Sequence, residues 1–387
     1  MILGRDDSCI ISHASSLVTD DWDAIVARLG GAEALETGAR LTGAFLRPRK
    51  IRSAVDLLRF TLAYCLGEMG LRLTAAWGAA LGLADVSNVA LLGRLRNMEP
   101  WLARLVGETL QAEQPAAAQG RLIRVVDATT VPQAGAKGSG AQRLWRLHGA
   151  LDLPGERFGF IELTDAGGGE RFDRAPVIKG EIRIGDRAYA QPNRLAAVLD
   201  GGGDVLVRAG WNNLRWLDAQ ADPFDLIAAL RAGEERGVVD RPIRVGRTGA
   251  PPLALRLVAL AKPPEAAQEA RCKARQAARK GGHQITPETL YAAGWVILVT
   301  SLSADCFSSQ DVGALYRLRW RVELAFKRLK SLVGLKEPPA KDPRLAKAHV
   351  LAHLLIALLI EPRVEVLEVS PPRAPAARGR WCGAPPD

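Results

Sequence analysis

Three carboxylates stand out by the company each keeps. Asp127 follows the apolar run IRVV and Asp186 follows IRIG, so each would be delivered from the C-terminal end of a strand, where α/β folds place their ligands. Glu323 lies within YRLRWRVELAFKRLK (316–330), the one acid in a stretch crowded with lysine and arginine. Oxygen ligands of this kind suit Mg²⁺, which is usually anchored by one or two carboxylates together with substrate phosphate oxygens. Two such ions about 3.5–4 Å apart stabilise both the attacking and the leaving oxygen of an in-line displacement at phosphorus. Asp127 would bridge the two, with Asp186 and Glu323 each finishing one ion's shell. Either aspartate alone is more commonly a turn residue, and it is the combination with Glu323 that points to a metal.

A helix through 316–330 would carry Glu323 to the aspartates. At about 100° per residue, Tyr316, Arg319, Glu323 and Lys330 fall within roughly 60° of one another, and Leu315, Leu318, Val322, Leu329 and Val333 form a separate apolar stripe. An amphipathic helix with a charged outer face, paired i,i+4 through Arg319, Glu323 and Lys327, fits the same periodicity. What separates the two readings is chemistry, since a metal-binding carboxylate beside a polyanion needs cations and hydroxyls to hold the flanking phosphates.

The 387 residues, 48% of them hydrophobic, suffice for two or three domains with cores of their own. Lysine and arginine number 52 against 42 aspartates and glutamates, a net charge of +10 that favours polyanionic partners. Five scattered cysteines (Cys9, Cys65, Cys272, Cys306, Cys382) without a C-x-x-C pair indicate neither a disulfide framework nor a zinc site, and a reducing compartment fits. The N-terminus has no basic region followed by an apolar one, and the longest apolar run, VLAHLLIALLI (350–360), is too short to span a bilayer. The expectation is a soluble, unsecreted, cytoplasmic protein with no membrane partner.

Residues 1–120 read as an Ala/Leu-rich helical region. Within it, 71–102 has helix-turn-helix spacing with Ser87 placed to cap the second helix, although a plain αα-hairpin has the same pattern. RPRKIR (47–52) adds cations that could meet phosphates. After a linker at 112–120, strands are expected at 121–131, 143–153, 157–166, 181–190 and 203–210, with a helix at 192–201 before the last. This is the element order of a ribonuclease-H-like α/β core, spanning 121–210 and awaiting a closing helix. A β-rich insertion at 211–302 interrupts it, with a basic stretch RCKARQAARKGGH (271–283) and a strand at 293–302. Closing helices at 303–362 complete the core, and the Pro/Arg-rich tail, 363–387, is expected to be disordered.

The motif Y-x2-R-x3-E-x6-K, met by Tyr316, Arg319, Glu323 and Lys330, resembles the signature of the DDE transposases of the insertion-sequence-four group. DATTV around Asp127, GDRAY around Asp186, VLVRAG around Arg208 and the passage from GWVILVTSL to YRLRW extend the likeness over roughly residues 40–362. The resemblance implies a ribonuclease-H-like (retroviral-integrase-like) catalytic core with a β insertion and an N-terminal helical DNA-binding domain. It further implies Mg²⁺-dependent cleavage at transposon ends followed by strand transfer, with Mn²⁺ as a possible substitute. Asp127, Asp186 and Glu323 would hold two ions; Tyr316, Arg319, Lys330 and Arg208 would grip the DNA backbone. The partners implied are double-stranded DNA, as terminal inverted repeats and target, and a second copy in a synaptic homodimer at the bacterial nucleoid. Members with this signature proceed through a hairpin, and Trp295 lies where a tryptophan can receive a flipped base. A tryptophan opening an apolar strand is also a core residue. Two rivals remain: an inactive or domesticated DNA-binding derivative, and a stand-alone nuclease of the same core fold.

Overall fold

A computed structural model describes residues 22–67, 69–112, 121–132, 144–153, 155, 157–165, 167–332 and 342–368. Among the described residues six helices come first: α1 (Trp22–Arg28), α2 (Gly31–Leu41), α3 (Ala54–Leu66), α4 (Leu71–Ala80), α5 (Asn88–Leu95) and α6 (Glu99–Ala112). Ser53 caps α3 by accepting from the Asp56 amide, and Ser87 caps α5 by accepting from the Ala90 amide at 3.2 Å. Ser87 thus terminates the loop between α4 and α5 as its side-chain chemistry dictates.

Nine strands of the described residues form one sheet: β1 (Ile123–Pro132), β2 (Leu144–Leu153), β3 (Arg157–Thr164), β4 (Ile182–Gly185), β5 (Asp204–Arg208), β6 (Trp216–Leu217), β7 (Val238–Val245), β8 (Leu253–Ala261) and β9 (Trp295–Thr300). Their spatial order is β3-β2-β1-β4-β5-β9-β8-β7-β6. β4 lies parallel to β1 and to β5, and every other neighbouring pair is antiparallel. The parallel β4–β5 step needs a crossover, supplied by α7 (Pro192–Asp200). The chain beyond residue 210 joins the same sheet through β9, which pairs with both β5 and β8. Between these strands lie α8 (Leu226–Ala232), α9 (Pro264–Lys280) and α10 (Pro287–Ala292); the basic stretch at 271–283 is therefore largely helical. After β9 come α11 (Ser309–Arg317), α12 (Trp320–Leu332) and α13 (Pro343–Glu368).

Alternation along the strands divides the interior into two cores. Val125, Ile184, Leu206 and Leu298 join one, with the N-terminal helices, Val312 of α11, Val322 and Phe326 of α12, and α13. Val126, Val205, Val207, Ile297 and Val299 join the other, with α7 and α8. On that second face a buried ionic network ties the central strands. Arg124 binds Asp152 through two hydrogen bonds of 2.6 and 2.7 Å, and Glu181 lies between Arg124 (3.3 Å) and Arg183 (2.6 Å). Arg124, Arg183 and Glu181 are almost wholly buried, so each charge depends on its partner, and breaking one pair would cost roughly 3–5 kcal/mol.

Three expectations need correction. The helix expected to run through 316–330 is broken: α11 ends at Arg317, Leu318 and Arg319 form a turn, and α12 starts at Trp320. The capping box of Ser308 and Asp311 sets the direction of α11, which packs on β8 through the close approach of Gly313 to Leu260. α12 instead follows β1 and β2, so one continuous helix could not meet both surfaces. β1 matches the strand expected at 121–131 closely but carries Asp127 in its middle, not at its C-terminal end. The β-branched run TTV keeps it extended to Pro132 against β2, well beyond its parallel pairing with β4. Lastly, α13 continues past 362 to Glu368; the tail at 369–387 and the linker at 113–120 lie outside the described residues. Among the described residues no helix is long and apolar enough to cross a membrane.

Candidate active site

The register that brings Ile123 beside Ile182 and Val125 beside Ile184 also relates Asp127 to Asp186. Asp127 has the strand parity of Val125, and Asp186 that of Ile184, so both carboxylates emerge on the face that carries α11 and α12. Asp186 leaves β4 as the cap of a short 3-10 turn, Arg187–Tyr189, its Oδ1 accepting from the Ala188 amide at 2.7 Å. Asp127 Oδ1 accepts from the Ala128 amide at 2.8 Å. Each aspartate therefore commits one oxygen to its own backbone.

Two contacts fix α12 above Asp127. Gly149 is the β2 residue directly opposite Asp127, and a Cβ there would stand 2.7 Å from Phe326 Cζ and 2.8 Å from Phe158 Cε1. The absent side chain lets the Phe326 ring rest on the sheet. One turn further along, Lys330 Nζ donates to Thr129 Oγ1 at 2.7 Å and to the Thr130 carbonyl at 2.9 Å. Thr129 shares the face of Asp127, so the helix is tied to β1 two residues beyond the carboxylate and rests on β2 opposite it. Lys330 is thus engaged with the protein itself, and partial burial lowers its pKa.

Glu323 precedes Phe326 by one turn and is half exposed. Its carboxylate binds Arg319 Nη1 at 2.6 Å, the i,i+4 pairing that the periodicity also allowed. Burial lowers the Arg319 pKa, but the hydrogen bond to Glu323 and the nearby Tyr316 and Asp127 outweigh it, and the net shift is upward. The Tyr316 hydroxyl meets the Arg319 guanidinium from the end of α11, with Arg208 and Asp186 nearby, and burial raises its pKa. Asp127 is pushed up to about 6, chiefly by burial, with the negative charges of Asp186 and Glu323 adding to it; the Ala128 amide and Arg319 oppose the rise. An oxygen-donor set that holds its central acid this way is short of positive charge, which fits a hard divalent cation.

The fit is chemical before it is geometric. Among the described residues no group of three or more His, Cys, Asp or Glu is gathered closely enough to hold a metal ion. Glu323 is turned to Arg319, and a cation shared by all three acids would have to take the place of that guanidinium.

Asp127, Asp186, Glu323, Tyr316, Arg319 and Arg208 are thus brought into one electrostatic neighbourhood. Trp295 is not: at 5% exposure it lies in the second core with Ile297 and Ala292, so no ring face is open to a base. Trp320 is not among the four residues that meet the motif Y-x2-R-x3-E-x6-K. It directly follows Arg319, is 54% exposed and offers a planar surface at the start of α12. Its signal was its place in the apolar stripe pattern, where it fits neither the core face nor the charged one.

Residues 118–360 match the family model described as a transposase DDE domain. Over 362 residues the chain is 40% identical to the putative transposase InsL for insertion sequence element IS186A of Escherichia coli K12, covering 92% of this chain and 97% of that protein. It is equally 40% identical, over 363 residues and with the same coverage, to the transposase for insertion sequence element IS421 of Escherichia coli.

Proposed function

The chain belongs to the DDE-domain transposases and is an enzyme that acts on DNA, and we propose that it performs cut-and-paste transposition with Asp127, Asp186 and Glu323 as its acidic triad. The observation that carries this is the common face on which the β1–β4 register sets the two aspartates, with α12 and Glu323 tied down beside them. The domain implies divalent-metal dependence; we assign Mg²⁺, as two ions, with Mn²⁺ a possible substitute. Bound there, the metal would supply charge stabilisation to the attacking and leaving oxygens at phosphorus.

The chain's own residues do the rest. Asp127 and Asp186 each keep one carboxylate oxygen clear of their backbone hydrogen bonds, and these are the ones that would face the metal. Arg319 shields Glu323 until DNA arrives; a phosphodiester then takes the guanidinium, and Glu323 is released to complete the donor set. Tyr316 orients Arg319 and contributes a hydroxyl to the same phosphate. Lys330 acts by holding α12 to β1.

Around this centre, β1 to β5 with α7 read as a ribonuclease-H-like core at 121–210, closed by helices at 303–362. The segment 211–302 is its β-rich insertion and 1–120 a helical DNA-binding domain, in which α4 and α5 serve as a helix-turn-helix. The element's terminal inverted repeats and the target are the double-stranded DNA partners, engaged by a synaptic homodimer in the cytoplasm at the nucleoid. Strand transfer follows cleavage; a hairpin step that stacks a base on Trp295 would require that ring to leave its core.

The test uses the full chain and a labelled duplex carrying the element's end. Cleavage at the repeat boundary in Mg²⁺ or Mn²⁺, and none in chelator, supports the reading. Cleavage that persists in chelator overturns it, and DNA binding without cleavage under any metal would favour an inactive derivative.

A further inference from the structure

Beside the carboxylates lies a group of cations of which only Arg208 has so far been given a place on the DNA backbone. Arg208 ends β5, and Arg187 follows Asp186 in the 3-10 turn, its side chain lying over Gly210, where a Cβ would meet Arg187 Cδ at 3.5 Å. Lys262 follows β8; its amide donates to the Gly294 carbonyl at 2.9 Å and its Nζ to the Ala293 carbonyl at 2.7 Å. Arg271 of α9 also lies over Gly294, 3.1 Å from where a Cβ would stand, and its Nε donates to the Leu290 carbonyl at 3.4 Å. β9 joins these pieces, since it pairs with β5 through Arg208 and Leu298 and with β8 through Trp295 and Ala261.

Among the described residues none of these four side chains has a carboxylate within ion-pair distance, whereas Arg124, Arg146, Arg183 and Arg256 of the same sheet each have one. Like charges held together without a counter-ion repel, and folding tolerates this where a polyanion supplies the missing charge. Burial, and then Arg208, Arg187 and Lys273, bring Lys262 down to about 8, so its neighbours are close enough to feel. The group begins next to Asp186 and ends on α9, whose Arg275, Arg279 and Lys280 continue the positive charge along the helix.

We propose that Arg187, Arg208, Lys262 and Arg271 form a cradle for consecutive backbone phosphates of the DNA strand that leaves the carboxylate centre toward α9. Guanidinium groups grip phosphodiester oxygens in bidentate fashion, and Lys262 adds a point charge between them. The cradle reads no base, so it serves any sequence. This rests on the reading of the site as a transposase centre, but its test does not depend on cleavage.

Binding of the duplex carrying the element's end is measured by fluorescence anisotropy across a NaCl series, using the full-length chain with Asp127→Asn so that cleavage does not intervene. Each lost phosphate contact should lower the slope of log K against log salt by about 0.9. Lys262→Gln should lower it by about one such step and Lys262→Arg should not; adding Arg187→Gln and Arg271→Gln should lower it by nearly three. Melting temperatures identify any variant that fails to fold, in which case Arg271→Gln alone, on an exposed helix, gives the single-step reading. Slopes equal to the parent's in folded variants overturn the cradle. Failure of the carboxylate assignment would appear differently, as strand cleavage by the Asp127→Asn chain itself.

Discussion

Lys330 Nζ on α12 donates to Thr129 Oγ1 at 2.7 Å, two residues along β1 from Asp127 and on the same face of the strand. Helix and strand are far apart in sequence, so this hydrogen bond sets where Glu323 stands relative to Asp127. A lysine that does this is a positioning residue, and Thr129 must share its role.

Thr129→Val removes the acceptor and keeps the shape. It should slow cleavage and lower stability by roughly 1–3 kcal/mol, and Lys330→Met should do the same. The double variant should cost little more than either alone. A grip on DNA through Lys330 predicts instead that Thr129→Val is silent, and a kinetic comparison of the three variants decides.

Gly149→Ala should be more damaging than its size suggests. The new methyl would press on Phe326 and Phe158 at less than 3.0 Å, which lifts α12 from the sheet opposite Asp127. Overpacking of this kind costs about 1–3 kcal/mol, and the displaced Glu323 should cut cleavage further. Phe326→Leu in the same chain should recover part of both losses. Normal cleavage by Gly149→Ala alone would show that α12 need not rest there.

Arg319→Ala should separate metal binding from catalysis. With the guanidinium gone, Glu323 is free in the absence of DNA, and Mn²⁺ affinity measured by calorimetry should rise a few-fold, the scale of the roughly 0–1 kcal/mol of a half-exposed ion pair. Cleavage should nevertheless fall, because the phosphate has lost its partner. Weaker metal binding in this variant would contradict the exchange of Arg319 for metal.

Much of this site was readable from residue types. Asp127 and Asp186 were visible as acids after short apolar runs, and Ser87 as a cap before an apolar helix. The break at Leu318 and Arg319 was not, because LRW carries no glycine or proline and fits helical periodicity; the turn comes from two helices docking on different strands. The Lys330–Thr129 contact was equally hidden, since a lysine on a basic helix looks the same whether it meets phosphate or a threonine. Trp295 had two readings, and only the packing of β9 between β5 and β8 shows its ring in the core.

Buried histidines should make the fold acid-sensitive. Burial lowers His148 to about 4 and His349 to about 3, and His353, whose ring lies tilted against that of His349 with centroids 4.3 Å apart, is lowered as well. These groups stay neutral in the folded chain while the unfolded chain takes up protons near its ordinary value of 6.5, so the unfolded state binds more protons below that value. Stability is therefore full above about 6.5 and falls as pH drops toward the folded values, by up to about 1.4 kcal/mol per pH unit for each histidine. His349→Gln should flatten the dependence of the urea midpoint on pH in this window. An unchanged slope would mean that His349 is protonated in the fold.

In the function proposed above, Asp127, Asp186 and Glu323 act together on the scissile phosphate. The most direct measurement is single-turnover cleavage of an end-bearing duplex in Mg²⁺ by Asp127→Asn, Asp186→Asn and Glu323→Gln, with binding of the same duplex followed in parallel. Each substitution removes an anionic oxygen and little DNA contact, so cleavage should be lost in all three while binding stays near that of the parent chain. Cleavage at the parent rate by any one of them would contradict the account.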